Sequence, residues 1–462
     1  MKTVNKIQIC ILVLVLSVSC QIVAQPCLNR TADRIAGGSP YGICSADFNS
    51  DNNVDIVVNY GNNTDSIVVL FGNGTGSFGP SINISTGSIP NSLCSADFNN
   101  DAKADLAVTN YNIGKVSILL GNGSGSFNSP ISFIVGYLPT YIVSADFNSD
   151  GNMDLATSNE GNNGSLSILL GDGTGGFGSA SSLSPGVSPN QIIAIDLNND
   201  NRIDLAVANK GSSDISVFYG IGNGTFSLAN NFTTGALPIC LCGADFNGDG
   251  KIDMATGNDS SNVVYVLLST GGNFTTAVSY TADYIPACIY SADINGDCKN
   301  DIITANSYFY LSNHVANTSV LLGNGNGTFT SPVNFNITAF ANSMTSSDFN
   351  SDGKKDFAII GDSLSILMNC AAGSCGDNIA KMSHTDQFHI SYIVSSNSVY
   401  IFIPKNIPTS QSHIVILSST GQTIKHIAFQ ENLSVIDLPN GYYYLQLLTS
   451  DGRIFNDKFV KQ

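Results

Sequence analysis

Hydrophobic positions in this chain come in short alternating runs broken by polar turns, and they never settle into a 3.6-residue period. That pattern predicts strands joined by tight turns rather than helices. One stretch shows the rhythm. Tyr141-Ile142-Val143 leads into a polar, Asp-rich loop, and Asp154-Leu155-Ala156-Thr157 follows it. Then come Ser165 to Leu170, a glycine-rich turn from Gly171 to Gly175, and a further run from Phe177.

The same unit returns seven times. Its nine-residue loop opens at Asp47, Asp97, Asp146, Asp196, Asp245, Asp293 and Asp348, in steps of 50, 49, 50, 49, 48 and 55 residues. Four short strands in such a period make one propeller blade. The expected fold is all-β: a seven-bladed β-propeller over residues 25–370, a linker at 371–378, and a small Ig-like β-sandwich over 379–462.

The ends of the array predict a closed ring. The seventh unit stops at Ser365 to Asn369, without a glycine turn or fourth strand. The leftover N-terminal piece Arg34-Ile35-Ala36-Gly37-Gly38 aligns with the fourth strand of other units, so an N-terminal strand should complete the last blade and cover its edge. Cys27, Cys370 and Cys375 lie near this seam. Spacing leaves two pairings open, Cys27 with one of the others or Cys370 with Cys375. Cys44, Cys94 and Cys242 each fall three residues before a loop and are expected as buried thiols on inner strands.

The loops read Asp-x-Asn-x-Asp-x-x-x-Asp. Their oxygen-bearing residues are Asp47, Asn49, Asp51 and Asp55; Asp97, Asn99, Asp101 and Asp105; Asp146, Asn148, Asp150 and Asp154; and Asp196, Asn198, Asp200 and Asp204. The remaining three loops supply Asp245, Asn247, Asp249 and Asp253; Asp293, Asn295, Asp297 and Asp301; and Asp348, Asn350, Asp352 and Asp356. Oxygens at positions 1, 3 and 5 of a tight turn can converge, position 7 can add a carbonyl and position 9 a carboxylate. Such hard ligands suit Ca²⁺. Metal-free Asx turns are the alternative. Charge weighs against them: residues 25–378 carry 30 acidic and 10 basic side chains, and the loops hold 21 of those 30 acids. Carboxylates crowded at one turn repel unless a cation neutralises them. Up to seven structural Ca²⁺ ions are therefore expected. Position 6 wants glycine or asparagine for its turn. Gly151, Gly250, Gly353, Asn52 and Asn201 comply, whereas Ala102 and Cys298 predict weaker sites in the second and sixth blades.

On the Asp loops and on strings such as Leu70-Phe71-Gly72-Asn73-Gly74-Thr75-Gly76-Ser77-Phe78, residues from about 31 to 370 resemble the FG-GAP and VCBS-type repeats, a family that includes the integrin α-subunit propeller. The resemblance implies a propeller with calcium between the first two strands of a blade, and it names no ligand. Residues 379–462 resemble the C-terminal sorting domain of type IX secretion, through Ile416 to Gln422, Asn440 to Leu445 and the tail Lys458-Phe459-Val460-Lys461. That implies export with the secretion machinery as a partner.

The first residues agree with export. Lys2 and Lys6 precede an apolar stretch from Ile7 to Leu16, and Ala24 offers a cleavage point, so 1–24 read as a signal peptide. Val18-Ser19-Cys20 resembles the end of a lipobox, but Ser17 stands where Leu is usual. No other stretch is long and apolar enough to span a bilayer. A net charge of −17 repels nucleic acid. Four of the five histidines (384, 389, 413 and 426) lie beyond the repeats, and no nucleophile–base pair or zinc motif is legible, so no enzyme is expected. Two function classes remain: a surface binding or adhesion module for a protein, or a lectin-like glycan binder or non-catalytic accessory to polysaccharide degradation. The longest insertion, Ser307 to Thr318 with Tyr308-Phe309-Tyr310 and His314, is the candidate partner-contact loop.

Overall fold

In a computed structural model the chain divides into two compact units, Met1–Gly373 and Ser374–Gln462. Residues 25–371 are described except 35–39, 60–64, 162–163, 311–312 and 338–340; of 372–462 only the strands are described. The leader, the Cys375 pairing and most of the 371–378 linker lie outside the described residues.

Seven four-stranded antiparallel sheets make up the first unit. In six of them the chain runs from the innermost strand outward, as in Pro139–Ala145, Asp154–Asn159, Ser165–Leu169 and Ser181–Leu183. The innermost strand of each blade lies beside that of the next, and Ile43–Ala46 of the first lies beside Ser343–Ser347 of the last. The ring is a seven-bladed β-propeller.

Burial follows from this stacking. Second strands are covered on both faces, and all six residues of Asp105–Asn110 are buried. The cores lie between blades: Phe98 and Val116 of the second blade pack in one cluster with Ile142, Leu155 and Leu169 of the third. Each fully buried Leu, Ile or Phe contributes about 1.5–3 kcal/mol. On the inner strands polar groups bridge blades. Gln191 donates through Nε2 to the Tyr141 hydroxyl at 3.3 Å and accepts the Leu241 N–H at 2.9 Å.

The last blade is closed by Leu28–Arg34, paired antiparallel from Leu28 opposite Asn369 to Arg34 opposite Leu364. The closing strand therefore ends where sequence alignment made it begin, and residues 35–39 lie outside the described ones. The insertion of the sixth unit is not a loop. It prolongs the second and third strands to Asp301–Tyr310 and Asn313–Leu321, paired out to Tyr310 opposite Asn313. In the C-terminal unit the described strands form a three-stranded sheet of His389–Ile393, Ser398–Phe402 and Asn432–Ser434. A four-stranded sheet runs in the order Thr423–Ala428, His413–Ser418, Gly441–Leu448 and Ile454–Lys461.

Candidate metal centres

Each Asp loop turns through two left-handed residues. Position 6 is one, with φ of +87° at Gly151, +67° at Asn52, +61° at Ala102 and +67° at Cys298. Position 4 is the other, for example Ser50 at +60° and Asn100 at +58°. Sequence reasoning identified position 6 and missed position 4, where small polar residues and glycine were the signal. A non-glycine residue pays about 1–2 kcal/mol for this conformation, so the loops need compensating bonds.

The side chains at positions 1, 3 and 5 supply them. In the third loop both oxygens of Asp146 accept N–H groups, Oδ1 from Asp150 at 3.2 Å and Oδ2 from Gly151 at 2.9 Å. Asn148 Oδ1 also accepts from Asp150, at 2.9 Å, and Asp150 Oδ1 accepts from Asn152 at 2.8 Å. The same four bonds recur in the loops opened by Asp47, Asp97, Asp196, Asp245, Asp293 and Asp348. Three oxygen-bearing side chains thus wrap one turn of backbone in every blade.

Position 9 is placed differently. Asp154 is fully buried; its Oδ2 accepts the Phe147 N–H at 2.9 Å and its Oδ1 the Gly171 N–H at 2.8 Å. Asp55, Asp105, Asp204, Asp253, Asp301 and Asp356 repeat this, tying the loop to the end of the third strand. Desolvation pushes these carboxyls up to about 6, and Asp301 to about 7, against the pull of the backbone bonds and with a further push from the loop's other carboxylates. At position 5, Asp51 and Asp150 are held below the ordinary range by backbone N–H groups, and Asp101 and Asp249 by their lysine neighbours.

Those lysines belong to a second feature that the sequence reading passed over. Position 7 is basic in five loops, and its cation meets the position 5 carboxylate: Lys103 and Asp101 at 3.0 Å, Lys251 and Asp249 at 2.9 Å, Lys299 and Asp297 at 3.4 Å, Arg202 and Asp200 and Lys354 and Asp352 at 3.8 Å. Water screens such exposed pairs, and they add little to stability. The first and third loops have Asn53 and Asn152 at this position and no such pair.

Among the described residues no three His, Cys, Asp or Glu side chains are drawn together as a metal would need. The donor chemistry nevertheless fits a hard cation: every loop offers carboxylate and amide oxygens, and the one cysteine among the loops, Cys298, is held in a disulfide. A carboxylate has about four lone-pair sites, so position 9 retains capacity after accepting two N–H groups.

The seams between blades grow from the same loops. The carbonyl of Phe48 accepts the N–H of Gly125 in the next blade at 2.9 Å, and Gly175 with Phe98, Gly224 with Phe147, Gly327 with Phe246 and Gly76 with Phe349 repeat it. Rings follow the same path: Phe48 meets Phe127 at 5.7 Å, Phe98 meets Phe177 at 5.8 Å, and Phe147 meets Phe226 at 5.5 Å. Repeating units of this kind are matched by the model of the FG-GAP-like repeat at residues 47–108, 97–157, 146–207, 196–256 and 245–304. The chain belongs to the FG-GAP-like repeat family.

Solved structures agree on the fold. BBS1N in complex with ARL6DN, soaked with mercury, superposes with a TM-score of 0.55 at 14% identity, over 75% of this chain and 98% of that one. The same complex soaked with lead gives 0.55 at 14%, over 76% and 99%. No curated protein matches. FG-GAP propellers are typically protein-binding modules, and no catalytic family is matched.

The cysteines of this FG-GAP propeller divide cleanly. Cys27 and Cys370 form a disulfide, Cα to Cα 5.0 Å, which selects one of the two pairings open in the sequence. Cys298, at position 6 of its loop, is disulfide-bonded as well. Cys44, Cys94, Cys240, Cys242 and Cys288 are free thiols on inner strands. Burial pushes Cys94, Cys242 and Cys288 up to about 12, which keeps them protonated and inert.

Proposed function

We propose that this chain is an exported, calcium-stiffened FG-GAP propeller that serves as a non-catalytic binding module for another protein at the cell surface. The observation that carries the reading is the sevenfold repetition of one oxygen-rich turn. Asp47, Asn49 and Asp51 and their six counterparts supply the donors, the position 9 carboxylates complete the set, and Ca²⁺ would offset the repulsion within each loop. A cation bound only by the folded loops stabilises the ring.

Export is supported by the leader-like residues 1–24 and by the resemblance of 379–462, which we read as a small Ig-like sorting domain, to type IX secretion signals. Protein binding is supported by the family and by the BBS1N propeller, which was solved in complex with ARL6DN. The test is binding of the purified chain to intact cells in calcium and in EDTA, before and after protease shaving. Calcium-dependent binding that shaving abolishes is expected. Binding that survives protease but is lost to glycosidases would sink the protein-ligand reading in favour of a glycan.

A further inference from the structure

The repeats allow each outer strand to be compared with its equivalents. Beyond its inward-facing apolar residue, the strand ends on a polar one: Ser85 opposite Ser66, Thr233 opposite Asp214, Thr281 opposite Val263, and Asn336 opposite Asn317. In the second blade this place holds Ile134, opposite Lys115. Ile134 is 74% exposed, more than any other large apolar side chain described, and Ile131 on the same strand is 49% exposed. Between them Phe133 turns inward onto Phe177 at 5.3 Å. Proteins ordinarily blunt such open edges with polar or charged residues, as these four blades do at this place, although the fifth also exposes Val278 at the start of its outer strand.

Beside this edge lies a groove of about 590 Å³ between the second and third blades. The outer strand of the third blade spans three residues there, Ser181–Leu183, and Ser181 and Ser182 line the groove. Ser132, Ser165 and Ser167 are among its lining residues, and none of the lining side chains is charged. Lys115 makes no ion pair among the described residues, unlike Lys103, Lys251, Lys299, Lys354 and Lys210. An unpaired cation next to an exposed isoleucine and an open backbone edge is complementary to a strand that is apolar and carries a carboxylate.

We propose that the outer edge of the second blade, Ile131–Ile134 with the adjoining groove, binds an extended apolar segment of a partner protein whose carboxylate meets Lys115; this deepens the protein-binding reading above and rests on it. The segment adds a fifth strand to the sheet, with backbone hydrogen bonds giving affinity and Ile134 and Lys115 giving selectivity. A sugar fits less well, because Phe133 and Phe177 present their rings to each other and the Ser167 hydroxyl already accepts the Gly136 N–H at 3.0 Å.

The test is fluorescence anisotropy of the full chain with labelled octapeptides that alternate Val and Thr and carry one Glu or, as the control, one Lys. The Glu peptide should bind, and Ile134→Thr and Lys115→Glu should each weaken it by about tenfold or more. Ile134→Thr is a safe variant, since Thr233 and Thr281 hold the equivalent place. Ile221→Asn, in a hairpin where Asn73, Asn122 and Asn324 are the counterparts, should leave binding unchanged. Equal binding of the Lys peptide, no binding of the Glu peptide, or an unaffected Ile134→Thr variant overturns the proposal. So does an oligosaccharide, or a dimer seen by sedimentation, that Ile134→Thr abolishes. If Ile134→Thr still binds shaving-sensitive sites on cells, the edge is overturned while the binding function stands. If the unaltered chain binds no such site, the function reading itself fails whatever the peptides do.

Discussion

Cys370 is tied twice to Cys27, by a disulfide and by its N–H, which donates to the Cys27 carbonyl at 2.9 Å. The bond closes a loop with a sequence separation of 343 residues. Chain-entropy arguments put such a closure at about 6 kcal/mol at most. Replacing both residues by serine should lower the thermal midpoint while leaving the β-sheet circular dichroism spectrum intact. An unchanged midpoint would show that strand pairing alone locks the ring.

A deletion removes that pairing together with the disulfide, because Cys27 lies within it, and its effect is read against the double serine variant. Deleting residues 26–40 strips the strand Leu28–Arg34 and leaves the buried strand Leu364–Asn369 as a naked, apolar edge. The truncated chain should melt lower and aggregate on gel filtration. A monomer with an unaltered melt would refute closure by this strand.

The position 9 carboxyls give a pH signature. Their folded-state values of about 6 lie above the ordinary value near 3.9. The folded ring therefore holds protons that the unfolded chain releases, and this contribution is fully present below about pH 4 and lost as pH rises through about 6. In EDTA the melting temperature should fall between pH 5 and pH 7.5. In calcium, which favours the ionised carboxylates, the melt at pH 7.5 should be higher than in EDTA and the fall smaller. Superimposable melts with and without calcium at pH 7.5 would leave the loops as Asx turns without metal.

Roles within a loop separate by mutation. Asp154→Asn puts an amide N–H against one of two backbone donors in a buried place and should cost about 2 kcal/mol even in EDTA, and more in calcium. Asp150→Asn leaves an acceptor for the Asn152 N–H, so its cost should show mainly in calcium. Urea melts of both variants in the two conditions decide this. Equal losses everywhere would deny any division between staple and ligand.

Two glycines isolate backbone from seam. At Gly151, φ is +87° and an added Cβ meets nothing within 4 Å, so Gly151→Ala should cost about 1 kcal/mol, as the Ala102 loop already tolerates. At Gly125 the Cβ would fall 2.3 Å from the Phe71 ring in the preceding blade. Gly125→Ala should cost about 2–4 kcal/mol by overpacking. Equal midpoints for the two variants would contradict the interlock.

Blade number, strand order and ring closure were legible because the repeat is long and its hydrophobic alternation strict. The turn that positions 1, 3 and 5 share was legible because side-chain oxygens two residues apart wrap one turn of backbone. The backbone bonds of position 9 were not: the partners of Asp154, Phe147 and Gly171, are set by how the third strand ends. The closing strand was placed late because Arg34 to Gly38 matches the other fourth strands in composition, whereas the described pairing begins at Leu28 opposite Asn369. Ile134 was invisible until register aligned it with Ser85 and Thr233.

The strand Leu28–Arg34 is made early in synthesis, and its sheet is complete only after Asn369 has left the ribosome. Every other blade can fold as its own residues emerge, each docking on the last. The seventh must wait with three strands for a segment that has been idle throughout. The ring is thus assembled in sequence order but secured out of it, and a chain stopped anywhere before its final repeat stays open.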